Sequence, residues 1–114
     1  MRKFINGFKY AFKGMGYATA TQLNFRVHLV ATLLAIVLGF YLHISPAEWC
    51  WITACIALVL IVELLNTAIE ILVDLVSPGW NEKAGHIKDV SAAAVLLTAI
   101  FALIVGAIIF IPKL

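Results

Sequence analysis

Charge is what this sequence has least of. Of 114 residues only 12% are Asp, Glu, Lys or Arg, while 64% are hydrophobic and the mean hydropathy is +1.07. An average soluble domain carries roughly 25% charged residues. A chain this short is one domain at most, and this composition excludes a soluble globule in favour of an integral membrane protein. Cysteine is also scarce. Cys50 and Cys55 lie within one apolar run with no histidine nearby, so they read as packing or lipid-facing residues and not as a disulfide or metal site. The three histidines are scattered and suggest no metal cluster. No G-x-x-x-x-G-K-[ST] or G-x-G-x-x-G is present, which removes the standard phosphate-binding loops. There is no internal repeat and no low-complexity tract. The basic start lacks a cleavage-like end, so no secretory signal is expected.

What the sequence does have is a set of long apolar runs with ordered punctuation. Residues 1–22 read as an amphipathic surface helix. Phe4, Phe8, Phe12 and Met15 recur at helical spacing, with Lys3, Lys9 and Lys13 on other faces where they meet headgroups. Gly7, Gly14 and Gly16 weaken that helix by up to about 1 kcal/mol each relative to Ala, and equally permit close approach of a neighbour. The polar residues Gln22, Asn24, Arg26 and His28 then lead into a first span over about 27–43, which is short and can extend backward. The connection 43–48 contains no Lys or Arg, and Pro46 stands near a helix start, where proline is tolerated. Trp49 and Trp51 fit an interfacial aromatic belt at the head of a second span, about 49–76. Ser77-Pro78-Gly79 stops it. A basic loop is expected over 77–89, with Lys83, His86 and Lys88, before a third span over about 90–111. That span opens with Ser91-Ala92-Ala93-Ala94, small residues suited to tight helix packing. Five of the eight Lys and Arg precede the first span, which sets the N-terminus and the 77–89 loop on the cytoplasmic side. The fold class is therefore an all-α membrane protein with a surface helix and three transmembrane helices.

The second span carries the chemistry. It holds no charge between Glu48 and Glu63, and then Glu63, Asn66, Glu70 and Asp74 fall on one side of the helix. Carboxylates in hydrocarbon are costly, so this stripe must face protein or water. With Trp49 at one interface, Glu70 comes near the other, and Glu63 lies roughly 10 Å deeper at about 1.5 Å per residue. Three helices of one subunit would not easily shield Glu63, Asn66 and Glu70 from lipid on all sides, so an oligomer is expected. Carboxylates beside a water-filled site suit Mg²⁺, which binds through one or two of them plus phosphates. A deeper carboxylate could take a proton from a lipid hydroxyl. From the residues alone, phosphoryl transfer onto a lipid and a purely structural or proton-conducting stripe both remain open.

The string E-L-L-N-T-A-I-E-I-L-V-D (63–74), followed by G-H-I-K-D-V-S-A-A-A-V (85–95), resembles the signature of the small bacterial diacylglycerol/undecaprenol kinases. N-F-R-V-H (24–28) is similar to that family too, and the likeness covers essentially the whole chain. The resemblance implies a homotrimer with a composite site shared between neighbours in the bacterial inner membrane. It implies Mg-ATP as donor and a membrane-dissolved alcohol as acceptor, with no nucleic acid partner. By position it implies Glu63 as catalytic base, Asn66 as the amide that helps place the reacting groups, and Glu70 as a metal-binding carboxylate at the nucleotide. It further implies Lys88 on phosphate, Asp89 toward the nucleoside, and Tyr10 of the surface helix bordering the nucleotide. Asp74 reads instead as a helix-end or loop-ordering residue.

One position departs from the pattern. The family usually has a second metal-binding Glu where this chain has Gln22. Either metal binding is weaker, or Glu70 and the phosphates suffice, or the activity differs. Asn24-x-Arg26-x-His28 looks more like the undecaprenol-preferring branch, but diacylglycerol and undecaprenol both stay open as acceptors. The alternative class is a non-enzymatic membrane protein such as a proton-coupled transporter subunit.

Overall fold

The longest helix begins where the sequence supplies a complete N-terminal cap. Ser45 Oγ accepts from the Glu48 backbone N–H at 3.2 Å, and Glu48 Oε1 accepts from the Ser45 N–H at 2.9 Å. Pro46 takes the first helical position, where its missing N–H costs nothing. The computed structural model describes residues 1–114 as four helices and a terminal 3-10 turn, Ile111–Lys113. In chain order they are α1 (Arg2–Thr21), α2 (Leu23–Tyr41), α3 (Pro46–Val76) and α4 (Glu82–Phe110). The last three are long and apolar enough to cross a membrane. At 31 residues α3 is about 46 Å long, against roughly 30 Å of hydrocarbon, so its ends stand in the headgroups or beyond.

Two of the sequence boundaries move, each for a local reason. The first span starts at Leu23 and not near 27, because Gln22 alone interrupts α1 and α2, with an extended backbone (φ −114°, ψ 110°). Arg26 Nη1 reaches back to the Thr19 and Ala20 carbonyls at 3.1 and 3.2 Å, closing the C-terminal turn of α1. The expected loop over 77–89 is a correction. Asn81 Oδ1 accepts from the Ala84 N–H at 3.1 Å and caps a helix that starts at Glu82, with that acid favourably placed in its first turn. Only 77–81 is irregular, so Lys88 and Asp89 stand on α4 and not on a loop. Gly7, Gly14 and Gly16 leave α1 continuous, and a Cβ at any of them would meet nothing within 4 Å. Within this chain they serve no close approach.

The apolar core sits at the end of the bundle formed by the α2–α3 turn and the end of α4. Ile44, Ile52, Ile109 and Phe110 are buried together, with Leu38, Leu42, Trp49 and Val105 packed against them. The turn itself is a Schellman closure. His43 N–H donates to Phe40 O at 3.3 Å and Ile44 N–H to Gly39 O at 3.2 Å, with His43 left-handed at φ 52°. A left-handed residue with a side chain costs roughly 1–2 kcal/mol, which the burial of Ile44 directly after it offsets. Lys113 Nζ lies 3.3 Å from the capping Glu48 and ties α4 to the start of α3. Only 14 of the 114 residues are buried, which leaves most of the apolar surface of the three long helices for lipid or for other subunits.

Gly39 is the tightest point of this end. A Cβ there would come within 2.7 Å of Trp49 Cη2 and 2.9 Å of Cζ2. The indole is itself packed on Phe40, at 4.8 Å between ring centroids. Gly39→Ala is expected to cost about 1–3 kcal/mol through overpacking. Denaturant-induced loss of helical circular dichroism in micelles measures it, and an unchanged midpoint would mean that Trp49 swings clear.

Candidate functional site

Along α3 the buried residues are Ile52, Cys55, Val59, Glu63, Asn66, Thr67 and Val73. That is one helical face turned toward the other helices, with its apolar half at the core end and its polar half at the other. Glu63 is the largest fully buried side chain of the molecule, at 1% exposure, and Asn66 is also buried at 7%. Of the three groups expected to exceed the cover of one subunit, a single chain encloses Glu63 and Asn66, while Glu70 stays partly open and Asp74 fully so.

Side chains of α2 and α4 reach several of the polar groups on that face. His28 of α2 brings Nε2 to 3.2 Å from Glu63 Oε1. Asn66 Oδ1 accepts from Ser91 Oγ of α4 at 2.6 Å, and Asn66 Nδ2 donates to Glu70 Oε1 at 3.3 Å. Asn66 thereby turns one oxygen of Glu70 and is itself locked by α4. Thr67 Oγ1 donates to the Glu63 carbonyl at 3.0 Å, so its hydroxyl is spent within the helix. At the open end Lys88 Nζ stands 2.6 Å from Asp74 Oδ1, joining α4 to α3. Their side chains are 40% and 66% exposed, and exposed pairs of this kind are worth at most about 1 kcal/mol.

The structure therefore brings together Glu63, Asn66 and Glu70, and sets Lys88 beside the same stripe through Asp74. It does not bring in the rest. Tyr10 is 63% exposed on α1, with Lys13 Nζ 6.0 Å from its ring centroid. Gln22 forms the joint between α1 and α2, and its side chain bonds only to Thr21 Oγ1 at 3.4 Å. Asp89 is exposed on α4 and makes no hydrogen bond or ion pair. No three His, Cys, Asp or Glu side chains gather into a group able to hold a cation. Glu70 with its amide neighbour thus fits an ion that arrives on phosphates, and not one held by protein alone.

Two residues of the site were given no site role in the sequence. His28 stood in a polar entry to the first span and in a motif resembling the undecaprenol-preferring branch, and Ser91 stood in the 85–95 string as a small packing residue. The available signal was the same for both: a hydrogen-bonding side chain inside or beside an apolar helix has to find a partner across the bundle. By contrast Ala92, Ala93 and Ala94 are exposed within this chain.

Residues 9–110 match the family described as prokaryotic diacylglycerol kinase. The chain belongs to that family. It is 36% identical over 114 residues to the undecaprenol kinase of Bacillus subtilis, covering 100% of this chain and 93% of that one. To the diacylglycerol kinase of Escherichia coli it is 36% identical over 107 residues, 94% of this chain and 88% of that protein. A diacylglycerol kinase of Synechocystis sp. is 44% identical over 108 residues, and the match spans 94% of this chain but 62% of that longer relative. This membership in a lipid kinase family, together with the three apolar helices, makes the chain a multi-pass bacterial membrane protein. It also favours an enzyme over a proton-coupled transporter subunit.

The two cross-helix contacts should differ sharply in weight. Ser91→Ala leaves the buried Asn66 oxygen without its donor and is expected to cost about 1–3 kcal/mol. Asp74→Asn breaks only an exposed pair and should stay within about 1 kcal/mol of wild type. Comparing their unfolding midpoints in one detergent checks the order, and the reverse order would overturn this reading of the site.

Proposed function

We propose that the chain is an ATP- and Mg²⁺-dependent lipid kinase that phosphorylates a membrane-dissolved alcohol at the cytoplasmic face of the bacterial inner membrane. The observation that carries this reading is the enclosed Glu63 carboxylate, placed on a spanning helix and deeper than Asn66 and Glu70 on the same face. A lipid hydroxyl arrives from the bilayer side, while a triphosphate stays at the open end near Glu70 and Lys88. Glu63 takes the hydroxyl proton as the acceptor oxygen bonds to the γ-phosphorus and the bond from that phosphorus to the ADP oxygen breaks. Asn66, held by Ser91, keeps Glu70 oriented.

Glu70 is the residue that would hold Mg²⁺ on the nucleotide, where the ion neutralises charge on the phosphates. Lys88 meets a phosphate by exchanging its Asp74 partner, an exchange made easy by the exposure of that pair. Tyr10 and Asp89 border the nucleotide in this reading, and their distance from the stripe's hydrogen bonds is accounted for by a homotrimer whose sites are shared between subunits. The surface helix and the 77–81 connection lie on the cytoplasmic side, following the basic residues. The acceptor is of the class named in the relatives, diacylglycerol or undecaprenol.

Transfer of label from γ-labelled ATP to each lipid, with products separated by chromatography, tests the function directly. No labelled lipid from either acceptor would overturn it. In the same assay Glu63→Gln is expected to retain ATP binding and to lose turnover by about 10² or more, the usual scale for removing a general base. Retained turnover would reduce Glu63 to a structural group.

Gln22 supplies a separate test. If position 22 reaches the ion in the assembled enzyme, Gln22→Glu adds a charged oxygen and lowers the Mg²⁺ concentration needed for half-maximal rate. An unchanged Mg²⁺ titration would place Gln22 outside the metal site.

A further inference from the structure

One atom of the polar face remains unexplained. Glu63 Oε1 is buried and forms no hydrogen bond, although His28 Nε2 stands only 3.2 Å away. The two atoms stand within hydrogen-bonding distance with no bond formed between them. Hydrogen bonds of catalytic pairs are often long or poorly aligned without substrate and tighten when the reacting complex forms. His28 is the one basic side chain within 4.0 Å of Glu63. Lys88 lies against Asp74, Arg26 donates to the carbonyls at the end of α1, and Lys113 pairs with Glu48. His86 is engaged with Glu82 at 3.7 Å on exposed α4 surface.

The rest of the His28 surroundings is apolar. Together with Ala31 and Ala35 of α2, Val59 of α3, and Ala102 and Gly106 of α4, it lines a slot of about 320 Å³ inside the bundle. The ring is 22% exposed, so it borders that slot while its Nε2 edge meets the carboxylate. It is one of few polar groups at that wall: Thr32, the slot's one hydroxyl, donates its Oγ1 hydrogen to the His28 carbonyl at 2.7 Å.

We propose that His28 is the positioning residue for Glu63, its Nε2–H fixing one carboxylate oxygen so that the other faces the acceptor hydroxyl. This rests on Glu63 acting as the base. A carboxylate free to turn in an apolar wall spends most of its time misdirected. Small displacements of reacting groups, on the order of 1 Å, can cost about 10²-fold in rate. His28 acts through Glu63 and needs no contact with ATP.

Three variants test it in the full-length protein, in bilayers or mixed micelles. His28→Leu removes the donor and is expected to lower kcat by about tenfold or more, with KM for ATP unchanged. His28→Gln places an N–H at a reach similar to that of Nε2 and should recover most of the loss. His28→Asn is too short and should not. In a Glu63→Gln background His28→Leu should have no further effect on the residual rate, because both changes remove one function. Wild-type kcat in His28→Leu would overturn the proposal, and so would a folded His28→Gln as slow as His28→Leu. If His28→Leu does not fold, the Gln-over-Asn order decides, and Asn at or above Gln overturns it. A full further loss in the Glu63→Gln background would also overturn it. A wild-type protein that labels no lipid would instead sink the kinase reading on which this one stands.

Discussion

A carboxylate enclosed inside a membrane-spanning helix is the constraint on which the rest of this molecule depends. Neither lipid nor an apolar core can solvate Glu63, so the protein has to bring polar groups to it or around it. Here α2 contributes His28, and α4 contributes Ser91 one turn along at Asn66. The packing of three helices about one stripe is thus specified by a few directional contacts. Away from the core at the α2–α3 turn, the apolar remainder of these helices is largely exposed in the single chain.

The two ends of the bundle are built for different purposes. At the α2–α3 turn the chain is stapled by Gly39 against Trp49, by a left-handed His43, by the Ser45–Glu48 cap and by Glu48–Lys113. Apolar packing and backbone closure make that end the fixed one. The opposite end holds Glu70, Asp74 and Lys88, with a short break at 77–81 and exposed ion pairs that exchange at little cost. One end is thus held by apolar packing, and the other keeps polar groups that change partners readily.

Much of this was legible because membrane helices advertise themselves. Length, apolarity and the shortage of charge placed three spans, and the period of the α-helix put Glu63, Asn66, Glu70 and Asp74 on one side of α3. The Gly79 and Pro78 break was also readable. The start of α4 was not, because a basic, polar segment after a helix stop looks like a loop until Asn81 is seen to cap it. That difference moves Lys88 onto a rigid helix, where its reach is set by α4 and its partner is Asp74.

By itself the sequence determined that this is a membrane protein, that it has three apolar spans, which face of α3 is polar and which family it belongs to. These properties are local: they follow from composition, helical period and a contiguous motif. Only the tertiary structure decided which partner each polar group meets. His28 and Glu63 are 35 positions apart, and Asn66 and Ser91 are 25 apart. Such pairs depend on how three helices rotate and slide against one another. That rotation also let a single chain enclose Glu63, where a stripe read along one helix gave no sign of what would cover it.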